Sequence, residues 1–177
     1  MAGAGVRIGF LGAGKMASAL AKGWLQAGLV AADRLSASDP LPAAPAAFAN
    51  DTGALVSANN HEIASRSDLL VLAVKPQNMA ALLAEIKPAV SAQHLTVSIA
   101  AGVTLGQLAA GLGDDRRLIR VMPNTPCLVG ASASAYAAAP TATPDDVQLV
   151  DRLLNSVGKA IAVPEKLLDA VTGLSGS

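Results

Sequence analysis

VRIGFLGAGKMA, at residues 6–17, is a short apolar run that leads directly into a glycine-rich turn and then into an apolar-periodic segment. Gly12, Gly14 and Ala17 fit the GxGxx[GA] fingerprint. Gly12 permits the tight strand-to-helix bend, Gly14 allows a pyrophosphate to approach the backbone, and Ala17 allows close helix–strand packing. The N–H groups at the start of the helix are then available to phosphates. The stretch predicts a dinucleotide-binding turn, with a ligand-free glycine turn as the alternative.

The residues on either side of the turn support the dinucleotide interpretation, because a fingerprint match alone is a weak signal. Before the turn, four apolar residues are typical of a buried parallel strand: Val6, Ile8, Phe10 and Leu11. After it, apolar residues recur at helical spacing until Gly28 ends the helix: Met16, Leu20, Trp24 and Ala27. Strand, glycine turn and helix therefore follow one another in the expected order.

The composition limits the class of protein. The chain has 177 residues, 52% of them hydrophobic but only 2% aromatic, and its formal net charge is zero. This length suits one well-buried domain, and slim aliphatic side chains suit a parallel sheet covered on both faces. Without a basic block or an apolar run of about 20 residues, the sequence favours neither nucleic acid nor a membrane as a partner.

The few reactive side chains indicate neither a metal site nor a nucleophile. Cys127 is the single cysteine and has no cationic neighbour in the sequence, which indicates a packing residue. His61 and His94 lie far apart in polar segments, which favours surface positions. A single cysteine also suits a reducing compartment, so we expect a cytoplasmic protein.

Strand-like runs recur along the chain with helical or turn segments between most of them, the alternation typical of βαβ units. They are Arg7–Leu11, Leu35–Ser38, Leu69–Val74, Thr96–Ile99, Leu118–Met122 and Ser134–Ala137. The pattern predicts an α/β fold with a doubly wound, mainly parallel sheet of the Rossmann type. Residues 40–45 contain three prolines and are expected to form a surface loop within that domain.

The last part of the sequence predicts one more helix and one more strand. The sequence TPDD at residues 143–146 is typical of a helix start, with a hydroxyl cap, a proline in the first turn and acids near the positive end of the dipole. This helix is expected to reach Val157, and Lys159–Val163 is expected to be the last strand. Glu165–Thr172 then begins a further helix.

Four further motifs point to one family: VLAVKPQ at residues 71–77, VSIAAGVTL at 97–105, IRVMPNTP at 119–126 and DAVTGLSGS at 169–177. Together with FLGAGKMA, they resemble pyrroline-5-carboxylate reductases over essentially the whole chain. The resemblance implies an NAD(P)H-dependent oxidoreductase of proline biosynthesis, which reduces 1-pyrroline-5-carboxylate to L-proline. It also implies that residues 1–163 form an NAD(P)-binding Rossmann domain. Residues 164–177 would begin a C-terminal helical domain, through which the full-length protein forms a homo-oligomer.

The fingerprint and the resemblance together nominate the cofactor-binding residues. The VLAVKP strand ends at the carboxyl edge of the sheet, where open α/β sheets bind ligands. The small residues of the SIAAG loop leave room for a flat ring, and the polar side chains of MPNTP can bond an amide. The expected cofactor-binding residues are Leu11, Gly12, Ala13, Gly14, Lys15, Met16, Ser38, Asp39, Asn60, Ala73, Val74, Lys75, Pro76, Ala100, Ala101, Gly102, Asn124 and Thr125, and the resemblance places the substrate near Ser175, Gly176 and Ser177.

Several of these positions also have a plainer explanation. Lys75 could be an exposed charge at a strand end, and Ala100–Gly102 could be a simple strand-to-helix turn. Asn124 could belong to an ordinary turn, and Asn60 could cap a helix at residues 61–65. No residue is nominated as a general acid, because in this chemistry the protein mainly positions the cofactor.

Asp39 bears on the choice between NAD and NADP. It lies 27 residues after Gly12, at the end of the second strand, where an acid accepts the ribose hydroxyls of NAD and repels the 2′-phosphate of NADP. Ser36, Ser38 or Arg34 could instead bond that phosphate, so both cofactors remain open.

Two other functions remain open from the sequence. One is another small-domain NADP-dependent reductase, such as a β-hydroxyacid dehydrogenase or a deazaflavin-dependent reductase, since these share the glycine turn. The other is a dinucleotide-binding fragment without turnover, because the resemblance places the helices that enclose the substrate after the SGS segment. On that basis we expect residues 1–177 alone to bind cofactor but to reduce substrate hardly or not at all.

Overall fold

A computed structural model describes residues 5–124, 126 and 131–170 of the chain. Eight strands lie in this part: β1 (Ile8–Leu11), β2 (Leu35–Ser38), β3 (Leu55–Ser57), β4 (Leu69–Leu72), β5 (Leu95–Ser98), β6 (Arg117–Met122), β7 (Ser132–Ala138) and β8 (Gly158–Ala162). Six α-helices connect them: α1 (Lys15–Gln26), α2 (Ala43–Thr52), α3 (Asn60–Arg66), α4 (Met79–Ile86), α5 (Leu105–Leu112) and α6 (Pro144–Asn155). Short 3₁₀ turns lie at Ala32–Arg34, Pro76–Asn78 and Glu165–Leu167.

The strands form one sheet in the order β3-β2-β1-β4-β5-β6-β7-β8. All neighbours are parallel except β6 and β7, which are antiparallel. The chain runs outward from β1 to β3 and then crosses back over the sheet to β4, so the strand order reverses between β1 and β4. The predicted doubly wound, mainly parallel sheet is confirmed, and its ligand crevice is expected at this reversal.

Helices cover both faces of the sheet, as the continuous apolar runs predict. On one face α1, α2 and α6 pack around Phe10, Trp24 and Phe48, whose neighbouring ring centroids are 5.5 and 5.4 Å apart. The Trp24 Nε1–H also donates to the Leu153 carbonyl of α6 (2.9 Å). On the other face α3, α4 and α5 pack through a cluster that contains no aromatic ring and includes Ile63. Tyr136 belongs to the same cluster as Trp24, so all four aromatic residues of the chain lie in the core on the face that α1 covers.

Side chains cap the helices that the sequence marked most clearly. Thr143 caps α6 in a capping box with Asp146, as the TPDD pattern predicts, although α6 ends at Asn155 and does not reach Val157. Thr104 caps α5 in the same way, with Gln107 as the reciprocal partner. Both caps satisfy backbone N–H groups that the first turn of a helix leaves without intrahelical partners.

Several predicted boundaries are wrong. The surface loop expected at residues 40–45 ends early, because α2 begins at Ala43 and accommodates Pro45 in its first turn, where proline removes no helical hydrogen bond. The strand expected at Leu69–Val74 stops at Leu72, because the backbone turns there toward the 3₁₀ segment that starts at Pro76. The strand predicted at Leu35–Ser38 is confirmed at both ends, and the ends of the other predicted strands agree to within two residues. Thr172 lies outside the described residues.

No helix in the described ranges is long and apolar enough to cross a membrane.

The two glycines of the turn are expected to differ in their effect on stability. Gly12 has φ +102°, and a Cβ built on it would lie 2.7 Å from the carbonyl carbon and oxygen of Ala73. Gly14 has φ −75°, and a Cβ there would meet no heavy atom of the described residues within 4 Å. Gly12→Ala should therefore lower the free energy of unfolding by about 2–4 kcal/mol. Gly14→Ala, the matched control, should change it by less than about 0.5 kcal/mol in the same urea titration. Equal losses would contradict the close approach at Gly12.

Candidate dinucleotide-binding site

The glycine turn joins the carboxyl ends of three strands. The Gly12 N–H donates to the Ser38 carbonyl at the end of β2 (2.8 Å), and the Ala73 N–H donates to the Leu11 carbonyl at the end of β1 (2.8 Å). The turn thus sits at the strand-order reversal between β1 and β4. It is held by backbone contacts that any larger residue at position 12 would disturb.

The start of α1 lies open in front of this turn. Gly14 is the N-cap residue and has extended backbone geometry, which any amino acid can adopt, and no side chain caps the helix. Since no described residue would meet a Cβ at position 14, neither the turn nor the packing in this part of the chain requires glycine there. The uncapped N–H groups of the first turn and the exposed Lys15 face this space. An anionic group is the ligand that such an arrangement favours.

Asp39 follows β2 directly and is fixed by two backbone donors. The Ala13 N–H donates to its Oδ2 (3.0 Å), and the Leu41 N–H donates to its Oδ1 (3.0 Å). The carboxylate is therefore anchored to the glycine turn itself. Because the Ala13 N–H is taken by Asp39, the N–H groups available to an anion are those that follow it.

A chain of hydrogen bonds joins β2, α3 and α4 next to Asp39. The buried Ser38 hydroxyl donates to Asn60 Oδ1 (2.7 Å), and the Asn60 Nδ2–H donates to Glu85 Oε2 (2.9 Å). The alternative that Asn60 caps the helix is wrong, because Asn59 is the N-cap and its side chain accepts from the N–H groups of His61 and Glu62. Two predicted residues, Ser38 and Asn60, thus contact each other, while Glu85 was not predicted.

Of the three groups proposed as phosphate ligands near Asp39, the structure exposes one. Ser36 and Ser38 are buried within β2, whereas Arg34 lies exposed in the 3₁₀ turn before that strand. The Ser38 hydroxyl proton is already donated to Asn60, which leaves only its acceptor capacity.

A second part of the site is a cavity of about 200 Å³ at the carboxyl ends of β4, β5 and β6. Four of the predicted residues line it: Met16, Ala73, Val74 and Asn124. Three unpredicted residues complete the lining: Ile99, Met122 and Pro123. The lining is mostly apolar with one amide, which suits a flat ring that carries a single polar substituent. Sequence reasoning missed these three residues because they lie at or just after the ends of β5 and β6, before the positions that were nominated.

The loop after Ile99 lies beside this cavity without lining it. Ala100 is buried, and its N–H donates to the Ser98 hydroxyl (3.3 Å). Gly102 has φ +72°, a conformation that favours glycine, and leads toward the Thr104 cap of α5. The strand-to-helix turn that was the alternative explanation is thus present.

Asn124 braces the chain on the far side of the cavity. Its Oδ1 accepts from the Ala133 N–H (2.9 Å) and from the Ser132 hydroxyl (3.3 Å), both at the start of β7. These bonds orient the amide and leave its Nδ2–H group as a donor. Four of the nominated residues lie outside the described part of the chain, as does Cys127: Thr125, Ser175, Gly176 and Ser177.

Lys75 supplies a positive charge at the same edge of the sheet. Its side chain is exposed and forms no ion pair with any residue in the described ranges. Its carbonyl accepts from the Asn78 N–H (2.9 Å), which fixes the backbone at the start of the 3₁₀ turn. Pro76, the first residue of that turn, is exposed beside it.

A larger groove of about 800 Å³ runs from the glycine turn along the outer faces of α1 and α2. Small side chains such as Ala44 and Ala47 line much of it, and the Lys22–Asp51 ion pair (3.4 Å) crosses it. The uncapped start of α1 lies between the two spaces, since Gly14 and Lys15 line the groove and Met16 lines the smaller cavity. The ends of three strands meet only at the smaller cavity, which is therefore the candidate for the ring. Among the described residues, no group of three or more His, Cys, Asp and Glu side chains could hold a metal ion.

Comparison with known proteins identifies the family. A family model described as "NADP oxidoreductase coenzyme F420-dependent" matches residues 7–102, just over half of the chain. A pyrroline-5-carboxylate reductase of Methanosarcina acetivorans is 43% identical over 97% of this chain and 63% of the relative. Pyrroline-5-carboxylate reductase 3 of Mus musculus is 41% identical over 97% of this chain and 62% of the relative. The chain thus spans a little under two thirds of the length of these relatives.

A solved structure of a pyrroline carboxylate reductase has a similar fold. The crystal structure of Plasmodium falciparum pyrroline carboxylate reductase with NADP bound superposes with a TM-score of 0.88 at 33% identity, over 97% of this chain and 63% of that one. The resemblance found in the sequence motifs is therefore confirmed, and the chain belongs to the family that is described as coenzyme F420-dependent NADP oxidoreductases.

Proposed function

We propose that this chain is the dinucleotide-binding part of a reductase that converts 1-pyrroline-5-carboxylate to L-proline with NADPH or NADH. The observation that carries the proposal is the open space in front of Gly14, since the fold does not require a glycine there and a phosphate does. The names of the relatives, at 43% and 41% identity, support this reductase over a β-hydroxyacid dehydrogenase or another small-domain reductase.

The residues present fit the parts of a dinucleotide in the order in which they lie along the sheet edge. The N–H groups that start α1, together with Lys15, would hold the pyrophosphate. Asp39 and the Ser38–Asn60 pair would face the adenosine ribose. The cavity beside Val74 would receive the nicotinamide. The remaining nominated residues keep the roles implied by the resemblance: Leu11, Gly12, Pro76, Lys75 and Ala100 to Gly102 along the cofactor, and Ser175, Gly176 and Ser177 near the substrate.

The cavity indicates what this chain contributes to the reaction. A bound reduced nicotinamide supplies the hydride that the imine carbon accepts, while the imine nitrogen takes a proton. The residues that line the cavity include no acid or base, so they position a ring and exclude water but do not supply that proton. Asn124 presents its Nδ2–H to the same space, where it can orient a carboxamide.

A homo-oligomer and a cytoplasmic location also belong to this proposal. An apolar surface near the last described residues supports a partner subunit, because Ile161 on β8 is 63% exposed and Leu167 is 45% exposed. The single cysteine supports a reducing compartment.

The test of the function uses this chain joined to the part of the Methanosarcina acetivorans reductase that it does not cover. The chimera should form proline from 1-pyrroline-5-carboxylate and consume one NAD(P)H for each proline. Gly14→Val should lose this activity and nucleotide binding but keep the melting temperature, because the added side chain occupies the anion space. Residues 1–177 alone should bind nucleotide with little turnover, since correct placement of both reactants contributes about 7–11 kcal/mol to catalysis.

Two outcomes would contradict this account. A folded chimera that binds NADPH but forms no proline would favour a dinucleotide-binding module without turnover. Rapid proline formation by residues 1–177 alone would show that the dinucleotide-binding part suffices to position the substrate.

Asp39 is expected to make the site tolerant of NADH. Replacing it by serine removes the charge that opposes a 2′-phosphate, so Asp39→Ser should raise the NADPH-to-NADH affinity ratio by about tenfold, a modest factor because this edge is solvated. Calorimetric titration with both nucleotides measures the ratio. Asp33→Ser, an exposed acid in the preceding 3₁₀ turn, is the matched control and should leave it unchanged. An unchanged ratio in Asp39→Ser would mean that the carboxylate does not face the ribose.

A further inference from the structure

Arg120 is the largest fully buried side chain of the described residues, with 2% of its surface exposed. It lies on β6, on the face that α5 covers. A guanidinium can be buried only when carboxylates or other acceptors replace its water shell. Arg120 meets two such partners, because Nη1 lies 3.4 Å from Glu165 Oε1 and Nη2 lies 2.5 Å from Asp169 Oδ1.

Glu165 links this ion pair to α5. The same Oε1 atom that faces Arg120 also accepts from the N–H of Leu105, the first residue of α5 (2.6 Å). A carboxylate at a helix N-terminus is favoured by the helix dipole, so this bond stabilises the start of α5. One carboxylate oxygen therefore joins β6, the start of α5 and the 3₁₀ turn at Glu165–Leu167.

This Arg120 cluster, defined as Arg120, Glu165 and Asp169, adjoins two of the strands whose ends line the cavity. Arg120 precedes the cavity-lining Met122 by two residues, and its partner in the β5 register is Ser98, the neighbour of the cavity-lining Ile99. The fully buried Leu168 packs beside this cluster, in an apolar group that includes Leu105 and Met122.

We propose that Arg120 is a positioning residue of the reductase reaction. Through Glu165 and Asp169 it holds the segment from position 165 to position 169 against the end of β6 and the start of α5. Arg120 thus joins the strand that carries the cavity-lining Met122 to the segment that contains Asp169. Asp169 lies six residues before Ser175, which the resemblance places near the substrate. The inference rests on the proposed function, because it assigns this anchor to the geometry of that reaction.

The test compares three variants, in residues 1–177 and in the chimera. Arg120→Met removes the charge and keeps much of the side-chain volume, and Arg120→Lys restores the charge with fewer donors. Arg117→Met is the matched control, because Arg117 lies on the same strand and pairs with Asp146 (2.7 Å) at the opposite end of the sheet from the cavity. Amide hydrogen exchange at Leu105, nucleotide affinity, kcat and KM are measured for each.

Arg120→Met should speed exchange of the Leu105 amide at least about tenfold, since local opening tracks the loss of its tertiary contacts. In the chimera it should lower kcat by about tenfold or more while KM for the nucleotide stays within about threefold, because the reactants are misplaced and the nucleotide contacts remain. Arg120→Lys should recover part of kcat. Arg117→Met should leave Leu105 exchange and kcat unchanged.

The outcomes separate this inference from the proposed function. If kcat falls no further in Arg120→Met than in Arg117→Met, the role of Arg120 is structural only and the inference is wrong, while the proposed function stands. Unchanged Leu105 exchange would overturn the anchor itself. Should Arg120→Met fail to fold, Asp169→Asn is measured instead, because it leaves the Glu165 contacts in place. This variant must then lower kcat while KM for the nucleotide stays nearly unchanged. A wild-type chimera without turnover would instead contradict the proposed function and remove the catalytic role from Arg120.

Discussion

The close approach of the Gly12 backbone to the carbonyl of Ala73 is the constraint on which the rest of the site depends. A Cβ at position 12 would lie 2.7 Å from that carbonyl, so β1 and β4 can end side by side only because the turn starts with glycine. This contact places the start of α1 over the point where the strand order reverses. The crevice, the open space at Gly14 and the cavity beside Val74 all follow from that single arrangement.

The polar residues of the site are held by one another before any ligand arrives. Asp39 is tied to the Ala13 and Leu41 amides, Ser38 to Asn60, and Asn124 to the start of β7. Such bonds cost little on folding, since each replaces a bond to water, and they remove rotamer freedom that binding would otherwise have to restrict. Several residues that the sequence nominated as ligands therefore also serve as supports, and the two roles are compatible because carboxylates and amides have several donor or acceptor positions.

Local pattern was sufficient to predict the central strands, the glycine turn and the start of α6, because each depends on neighbouring residues. The prolines at 40, 42 and 45 led to the prediction of a loop, because proline usually interrupts a helix. The first turn of a helix accommodates proline, however, and α2 begins at Ala43. Asn59 and Asn60 are adjacent asparagines, and only the backbone geometry distinguishes the cap from the residue that meets Ser38. The pairing of Arg120 with Glu165 joins positions 45 residues apart, so no local signal reveals it.

The most direct measurement is a map of backbone amide shifts by nuclear magnetic resonance during titration of residues 1–177 with NADPH. The account predicts that the largest changes fall on the N–H groups from Gly12 to Met16, on Asp39, and on the residues around Val74 and Asn124. The part of the groove that lies away from the turn, marked by Lys22 and Asp51, should stay unchanged. Large shifts in that groove with none at the glycine turn would place the nucleotide elsewhere and contradict the central claim.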